Sequence, residues 1–201
     1  MIYLASRSPR RAELLHQIGV EFQLHDIDID ESRLPAESAT DYVCRMATSK
    51  ARIAAAEIAA EKIVDEKSTG QQKPAVVLAA DTTIALDDDI IGKPADRGQC
   101  RCILERLSAR QHLVLTAVAL ATADDIALRL TRNRVSFRPL SAQEIESYCA
   151  TGEPMDKAGA YAIQGKAALF VDHLEGSYSA VMGLPIFETA ELLRNADIEL
   201  F

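Results

Sequence analysis

The sequence predicts an α/β fold, because short apolar segments typical of strands alternate with segments whose apolar residues recur at helical spacing. Residues 2–5 form the first apolar segment. Residues 75–80 form a continuous apolar run, which favours a strand buried on both faces. The Ser8-Pro9 pair is typical of a helix start, and Gly19 is placed to end that helix.

The rest of the chain continues this alternation. An extended segment is expected over 22–29, and the buried strand is expected to end at Asp81-Thr82-Thr83. A polar segment over about 61–74 predicts a helix end followed by a flexible loop. At 201 residues, the chain fits a single domain, 1–201, with two lobes around a cleft. Apolar spacing predicts the remaining elements, which are helices over 39–62, 96–107, 141–150 and 185–194 and strands over 113–121 and 127–137.

Composition and charge exclude several classes of function. The net charge of −8 would repel a nucleic-acid backbone at long range, so no nucleic-acid partner is expected. No apolar run approaches the roughly 20 residues that a membrane span needs. The N-terminal apolar stretch is too short for a signal peptide and lacks a basic leader. We therefore expect a cytoplasmic protein with no membrane contact.

The four cysteines, at positions 44, 100, 102 and 149, are expected to be reduced thiols, because no secretory signal accompanies them. Cys100 and Cys102 lack the two-residue spacing of zinc knuckles and redox motifs, and no His or Cys cluster lies nearby in sequence. A structural zinc site is therefore not expected.

Candidate anion-binding groups gather at the predicted start of the first helix. Arg7, Arg10 and Arg11 lie where exposed backbone amides and the helix dipole already attract anions. Three arginines oppose the dipole unless an anion neutralises them, which favours a phosphate site. The alternative is that these arginines are solvated on an exposed turn.

Asp81 is the candidate catalytic carboxylate. It follows an apolar strand, at the place where open α/β sheets bind their ligands. A carboxylate there can bind Mg²⁺, orient a water molecule, or do both. The alternative is an aspartate that only closes the strand by capping a turn.

Two lysines and one loop are further candidates. Lys50 lies on the apolar stripe of a helix, so it either meets an anion in a cleft or extends along apolar surface to solvent. Lys93 stands between glycine and proline, which favours a well-placed side chain. Residues 152–165 mix acid, base, amide and glycine without periodicity, which predicts a site-forming loop. His112 is considered for a site, although a structural role is favoured.

Six sequence blocks, taken together, resemble the Maf family of nucleotide pyrophosphatases. They occur in the family's order and cover essentially residues 3–193. The blocks are Leu-Ala-Ser-x-Ser-Pro-Arg-Arg at 4–11, Ala-Asp-Thr at 80–82, Gly-Lys-Pro at 92–94, His-x-Val-x-Thr at 112–116, Asp-Lys-Ala-Gly-Ala-Tyr-x-Ile-Gln-Gly at 156–165 and Gly-Ser-Tyr-x-x-Val-x-Gly-Leu-Pro at 176–185.

The resemblance implies hydrolysis of a nucleoside triphosphate between the α- and β-phosphates with a divalent metal, Mg²⁺ or Mn²⁺. It implies Asp81 as catalytic base and metal contact, with Glu31 as a second metal contact. It also implies an elongated α/β domain, similar to inosine triphosphate pyrophosphatase, with a central mixed sheet, flanking helices and a deep cleft, usually as a homodimer. The substrate contacts that it implies are Ser6, Arg10, Arg11, Lys50, Thr82, Lys93 and Gln164.

Within the family, Arg10, Thr82 and Gln164 resemble the branch that acts on dTTP and UTP, whereas the 7-methyl-GTP branch differs at these positions. The amide of Gln164 can donate and accept together, which matches the carbonyl and N–H edge of uracil or thymine. The alternatives are a 7-methyl-GTP pyrophosphatase and a phosphatase that removes the terminal phosphate. A further alternative is a nucleotide-binding regulator of septum formation or cell division with little turnover.

Overall fold

The structure, a computed structural model, describes residues 1–65, 75–87 and 89–200. Within these residues, helices flank a mixed sheet of seven strands. The strands are β1 (Ile2–Ala5), β2 (Phe22–Leu24), β3 (Val76–Leu86), β4 (Asp89–Ile91), β5 (Gln111–Ala121), β6 (Ile126–Phe137) and β7 (Val171–Glu175). The helices are α1 (Pro9–Gln17), α2 (Ala39–Asp65), α3 (Arg97–Leu107), α4 (Ala142–Ala150), α5 (Tyr178–Met182) and α6 (Ile186–Asn195). The predicted α/β fold with a central mixed sheet is confirmed.

The sheet runs in the order β2-β1-β3-β5-β6-β7, and β4 pairs with β3 outside this path. β1 pairs parallel with β2 and β3, whereas β3, β5, β6 and β7 pair antiparallel in succession. The helix α1 connects the first two parallel strands. It begins at Pro9 with Ser8 as N-cap, and the chain leaves it through Gly19, whose φ of 71° is left-handed, so the predicted start and stop are confirmed.

A gap in the sheet lies beside the middle of β3. On one edge, β3 pairs continuously with β5 from Val77 to Ala85. On the other edge, β3 pairs with β1 as far as Ala79 and with β4 from Ile84 onward. Positions 80–83 of β3 therefore have no strand partner on that edge within the described chain. Asp81 and Thr82 lie beside this opening.

The long helix α2 packs on β3 and β5 through small side chains. Ala47, Ala51 and Ala54 are fully buried against a sheet face that carries Ala79 and Ala117. Small side chains on both surfaces allow the helix to approach the sheet closely, as dense core packing requires. The approach brings one face of α2 to the gap in the sheet. The other face of the sheet is covered by α1 and α6 around Leu4, Leu15 and Leu192.

The extended segment expected over 22–29 contains a strand from Phe22 to Leu24, because β2 pairs with β1 through just those three residues. One predicted strand boundary is wrong. The strand expected to end at Asp81-Thr82-Thr83 continues to Leu86, because pairing with β5 carries β3 through these polar residues. Asp81 therefore lies inside β3 and two positions beyond the end of its neighbour β1.

The expectation of reduced thiols is wrong for two of the four cysteines. Cys100 of α3 and Cys149 of α4 form a disulfide, with a Cα–Cα distance of 6.1 Å, because the two helices pack together across 49 residues of chain. Sequence spacing gives no sign of this packing. Cys44, partly buried, and Cys102, exposed, are free.

The polar loop expected over about 61–74 lies, from residue 66 onward, outside the described residues. The helix α2 extends to Asp65, three residues beyond the predicted end. In the described part of the chain, no helix is both long and apolar enough to span a membrane.

Candidate active site

A cleft of about 730 Å³ opens at the gap between β1 and β4. The turn after β1, the middle of β3, the start of the segment after β4, and the loop before Ile163 all contribute to its walls. The nine residues proposed from the sequence as catalytic, substrate-binding or metal contacts all line this cleft: Ser6, Arg10, Arg11, Glu31, Lys50, Asp81, Thr82, Lys93 and Gln164.

The centre of the cleft holds two carboxylates around one ammonium group. Lys50 Nζ lies 2.7 Å from Asp81 Oδ1 and 2.6 Å from Glu31 Oε1. The side chains of Lys50 and Asp81 are only 13% and 12% exposed, so their charges interact in a partly desolvated setting. Lys50 therefore points into the cleft and does not extend to bulk solvent.

Glu31 remains ionised in this arrangement. Burial raises the pKa of its carboxyl group, but the hydrogen bond and positive charge of Lys50, together with Lys93 and Arg11, outweigh that effect and lower the pKa overall. Glu31 and Asp81 share one lysine, so the three side chains form a compact cluster at this point of the cleft. Carboxylate oxygens in such a cluster can also bind a divalent cation.

Arg11 connects three parts of the cleft wall. Its Nε donates to the carbonyl of Gly183 at 2.7 Å, and its terminal nitrogens donate to Ser6 Oγ at 3.1 Å and Thr82 Oγ1 at 3.4 Å. Burial lowers the pKa of this guanidinium, which nearby Asp81 partly opposes. The sequence interpretation assigned Arg11 to phosphate binding alone. The structure shows that it also fixes the turn after β1 to β3 and to the segment after α5.

Thr82 belongs to a buried hydrogen-bond chain. Its hydroxyl lies 3.1 Å from Thr116 Oγ1 on β5, and Thr116 donates to the carbonyl of Ala180 at 2.7 Å. The chain links β3, β5 and α5 behind the cleft. Thr82 therefore presents its hydroxyl from a rigid position next to Arg11.

Arg10 and Lys93 face the cleft with fewer protein partners. Arg10 lies 3.8 Å from Asp156 Oδ2, a weak ion-pair distance, and Asp156 also pairs with Lys157. Lys93 is exposed at the rim. Lys157 was quoted in the sequence only as part of a motif, yet it lines the cleft with a side chain that is 14% exposed. Its position within a predicted site-forming loop was the available signal.

Gln164 lies on an exposed turn that the carboxylate of Glu153 holds in place. The amide of Lys166 donates to Glu153 Oε2 at 3.2 Å, and Tyr148 donates its hydroxyl to Glu153 Oε1 at 2.9 Å. A Cβ at Gly165 would come within 2.4 Å of the Glu153 carboxylate, so a larger residue there would displace that carboxylate from the turn. The Gln164 side chain makes no hydrogen bond within the described residues, which leaves its amide free for a ligand.

One end of the cleft is apolar. This surface can take a flat heterocyclic ring, because apolar and aromatic walls with a few polar groups are typical of ligand pockets. Its lining residues are Ile84, Ile90, Tyr161, Ile163, Val181 and Met182. Gly159 supports this end with a φ of 70° and a backbone bond from its amide to the Gly92 carbonyl at 3.0 Å.

His112 lies in the core behind this wall. Its Nε2 is 2.8 Å from the hydroxyl of Tyr161, and its ring contacts Phe137 and Tyr161 edge to face. Burial lowers its pKa from 6.5 to about 4. The neutral imidazole therefore supports Tyr161, in keeping with the structural role favoured from the sequence.

The donor set in the cleft fits a magnesium-type ion. Among the residues that the structure describes, no three His, Cys, Asp or Glu side chains gather in a way that could hold a metal. Two carboxylates, Asp81 and Glu31, do lie within 2.7 Å of a common cation, the Lys50 ammonium. Mg²⁺ is usually bound by one or two carboxylates, with phosphate oxygens and water completing its shell.

Comparisons with known proteins agree with the motifs. The family described as Maf-like protein matches residues 1–196 of the chain. A dTTP/UTP pyrophosphatase of Methylobacillus flagellatus is 49% identical over 99% of this chain and 94% of its own length. One of Aromatoleum aromaticum is 48% identical over 96% of this chain and 94% of its own length. A dTTP/UTP pyrophosphatase of Pasteurella multocida is 46% identical over 99% of this chain and 97% of its own length. The family resemblance inferred from the sequence is thus confirmed.

Proposed function

The chain belongs to the Maf-like protein family, and we propose that it hydrolyses dTTP and UTP to the nucleoside monophosphate and pyrophosphate. The observation that carries the proposal is the Asp81–Lys50–Glu31 arrangement at the centre of a cleft that also holds Arg10 and Lys93. Relatives with 46–49% identity over nearly the whole chain are named for the same activity.

The cations of the cleft would bind the triphosphate. Arg10 of α1, Lys50 of α2 and Lys93 after β4 approach it from three different parts of the chain, so they can contact separate phosphate groups. Ser6 and Arg11 add a hydroxyl and a guanidinium at the start of α1, where the helix dipole also favours an anion. Phosphoryl transfer depends mostly on positioning and on charge neutralisation, which this set of groups provides.

Asp81 would act as the general base. Its carboxylate is oriented by Lys50, has little exposure, and lies beside the gap in the sheet where the phosphates can enter. A carboxylate oxygen of Asp81 accepts the proton of the attacking water as the bond between the α- and β-phosphates breaks. The cations of the cleft neutralise the charge of the pyrophosphate as it leaves.

Asp81 and Glu31 are the residues that would hold a divalent metal, Mg²⁺ or Mn²⁺. When bound, the ion supplies charge neutralisation on the phosphates and lowers the pKa of water. Lys50, which contacts one oxygen of each carboxylate, would hold both groups in place, and its ammonium could also contact a phosphate oxygen.

Gln164 and the apolar end of the cleft would select the pyrimidine. The free amide of Gln164 can donate and accept hydrogen bonds toward the edge of uracil or thymine. The apolar surface near Tyr161 and Ile163 would pack against the ring. The homodimer, the cytoplasmic location and the single two-lobed domain stay predictions.

The proposal is tested by product analysis with dTTP, UTP, CTP, GTP and 7-methyl-GTP, with Mg²⁺ or Mn²⁺ and with a chelator. We expect metal-dependent release of pyrophosphate with dTMP or UMP as the second product. Preference for 7-methyl-GTP would overturn the assignment of the branch. Orthophosphate and a nucleoside diphosphate would indicate a terminal phosphatase, and measurable binding without turnover would indicate a nucleotide-binding regulator.

A further inference from the structure

The loop that carries Glu31 is held in place by an ion pair outside the proposed catalytic groups. This segment, residues 30–37, is termed the Glu31 loop; it has no helix or strand structure, and its residues are exposed apart from Glu37. An exposed loop ordinarily moves and would not keep a carboxylate within 2.6 Å of a lysine. Something must therefore fix it against the rest of the protein.

Glu37 anchors the end of the loop on α2. Its side chain is only 6% exposed and receives two hydrogen bonds from Arg45, at 2.5 Å to Oε1 and 2.7 Å to Oε2. Such a two-pronged contact fixes orientation as well as distance. The backbone amide of Leu34 also donates to Glu37 Oε2 at 3.0 Å, so the same carboxylate closes the loop on itself.

The contacts from α2 continue on both sides of Glu31. Arg45 donates to the carbonyl of Ser32 at 3.0 Å, and Tyr42 donates its hydroxyl to the carbonyl of Glu31 at 3.0 Å. The guanidinium of Arg45 also lies over the Tyr42 ring, 5.6 Å from its centre. The helix α2, which carries Lys50, therefore also binds the backbone of Glu31 and of its neighbour Ser32.

We propose that Glu37 and Arg45 are positioning residues, whose ion pair holds the Glu31 loop on α2 so that the Glu31 carboxylate faces Lys50 and Asp81. Neither side chain is among those that line the cleft, so they act through Glu31. The inference rests on the proposed function for the role of Glu31. The conclusion that the Glu37–Arg45 ion pair holds the loop rests only on the contacts between the loop and α2.

The charge state of Glu37 is consistent with this role. The hydrogen bonds from Arg45, together with that from the Leu34 amide, outweigh the opposing effect of burial and lower the pKa of its carboxyl group to about 2. Glu37 is therefore ionised throughout the pH range in which the enzyme would work.

The test uses Glu37→Gln, which keeps the size of the side chain but removes its charge, and Arg45→Lys, which keeps the charge but loses the planar fork. Hydrogen exchange without nucleotide or metal is measured on peptides that cover residues 30–37. We expect faster exchange there in both variants and unchanged exchange in β3 and β5. With UTP, kcat/KM should fall roughly ten- to hundredfold, mainly in kcat, because small misplacements of a reacting group cost that much.

Two further variants distinguish positioning from general destabilisation. Glu144→Gln is a matched control, because Arg138 donates to Glu144 at 2.6 Å and lowers the pKa of its carboxyl group to about 2, and neither residue lines the cleft. It should lower the melting temperature and leave kcat/KM unchanged. Combining Glu37→Gln with Glu31→Gln should give the same kcat/KM as Glu31→Gln alone, since Glu37 acts only through Glu31.

The inference is overturned if exchange in residues 30–37 is unchanged in Glu37→Gln, or if the losses from Glu37→Gln and Glu31→Gln multiply. It is also overturned if Glu144→Gln lowers kcat/KM as much as Glu37→Gln. Failure of the proposed function looks different: the wild-type protein would not release pyrophosphate, or Glu31→Gln would be fully active. In either case, the exchange measurement still tests whether the Glu37–Arg45 ion pair holds the Glu31 loop on α2.

Discussion

Acidification should destabilise the fold through His112, which is 2% exposed behind the apolar end of the cleft. Its Nδ1 is buried with no hydrogen-bond partner in the described structure, and Nε2 is paired with Tyr161. Protonation would place a charge where only a neutral ring is accommodated. The experiment therefore lowers the pH from 7 to 5 and compares the loss of stability in wild type with that in His112→Gln.

The magnitude follows from the lowered pKa. The imidazole has a pKa of 6.5 when unfolded and about 4 when folded, so stability is full above pH 6.5 and is lost as the pH falls toward 4. Between pH 7 and pH 5 the unfolded chain takes up most of a proton and the folded chain very little. The expected loss is about 2 kcal/mol, at 1.36 kcal/mol for each full pKa unit.

The assay is urea unfolding at both pH values, followed by circular dichroism because the chain contains no tryptophan. His112→Gln keeps a group that can hydrogen-bond to Tyr161 but does not titrate. The variant should lose about 2 kcal/mol less between pH 7 and pH 5 than wild type does. The histidines at 16, 25 and 173 contribute equally to both proteins. Equal losses in the two proteins would show that His112 is not the source of the pH dependence.

Three further substitutions probe the cleft. Asp81→Asn should fold normally and lower kcat roughly 10²–10⁴-fold, as loss of a general base does; near-normal turnover would remove Asp81 from that role. Gln164→Glu should reduce the preference for UTP over GTP in kcat/KM roughly ten- to hundredfold, since the acid cannot donate as the amide does; unchanged selectivity would contradict base recognition by Gln164. Gly159→Ala should lower stability by at least about 1–2 kcal/mol, because φ is 70° and its Cβ would lie 2.3 Å from Ile84 Cδ1; an unchanged melting temperature would show that the turn adapts.

The sequence predicted the strand and helix order well because that information is local. Ser8, Pro9 and Gly19 mark the bounds of α1 through backbone preferences that act within a few residues. The boundary of β3 was wrong because polar Asp81 and Thr82 suggest a strand end. Pairing with β5 overrides that preference, and partners distant in sequence are not visible locally.

Several residues of the cleft could be proposed from their place in the sequence and the others only through the family resemblance, whereas their partners could not be predicted. Charged Lys50 on an apolar stripe left two alternatives open, an anion in a cleft or extension to solvent, and the structure pairs it with two carboxylates. The second role of Arg11, in holding Gly183 across 172 residues of chain, had no local signal. The Glu37–Arg45 pair also had no local signal, because in the sequence it does not differ from other charged residues that lie on the surface.

The most direct measurement is a phosphorus NMR time course of UTP hydrolysis by wild type and Asp81→Asn, with Mg²⁺ and with chelator. We predict that wild type converts UTP to UMP and pyrophosphate only when metal is present, while folded Asp81→Asn leaves UTP nearly untouched. Release of orthophosphate by wild type, or equal conversion by the two proteins, would contradict the claim that this cleft cleaves between the α- and β-phosphates through Asp81.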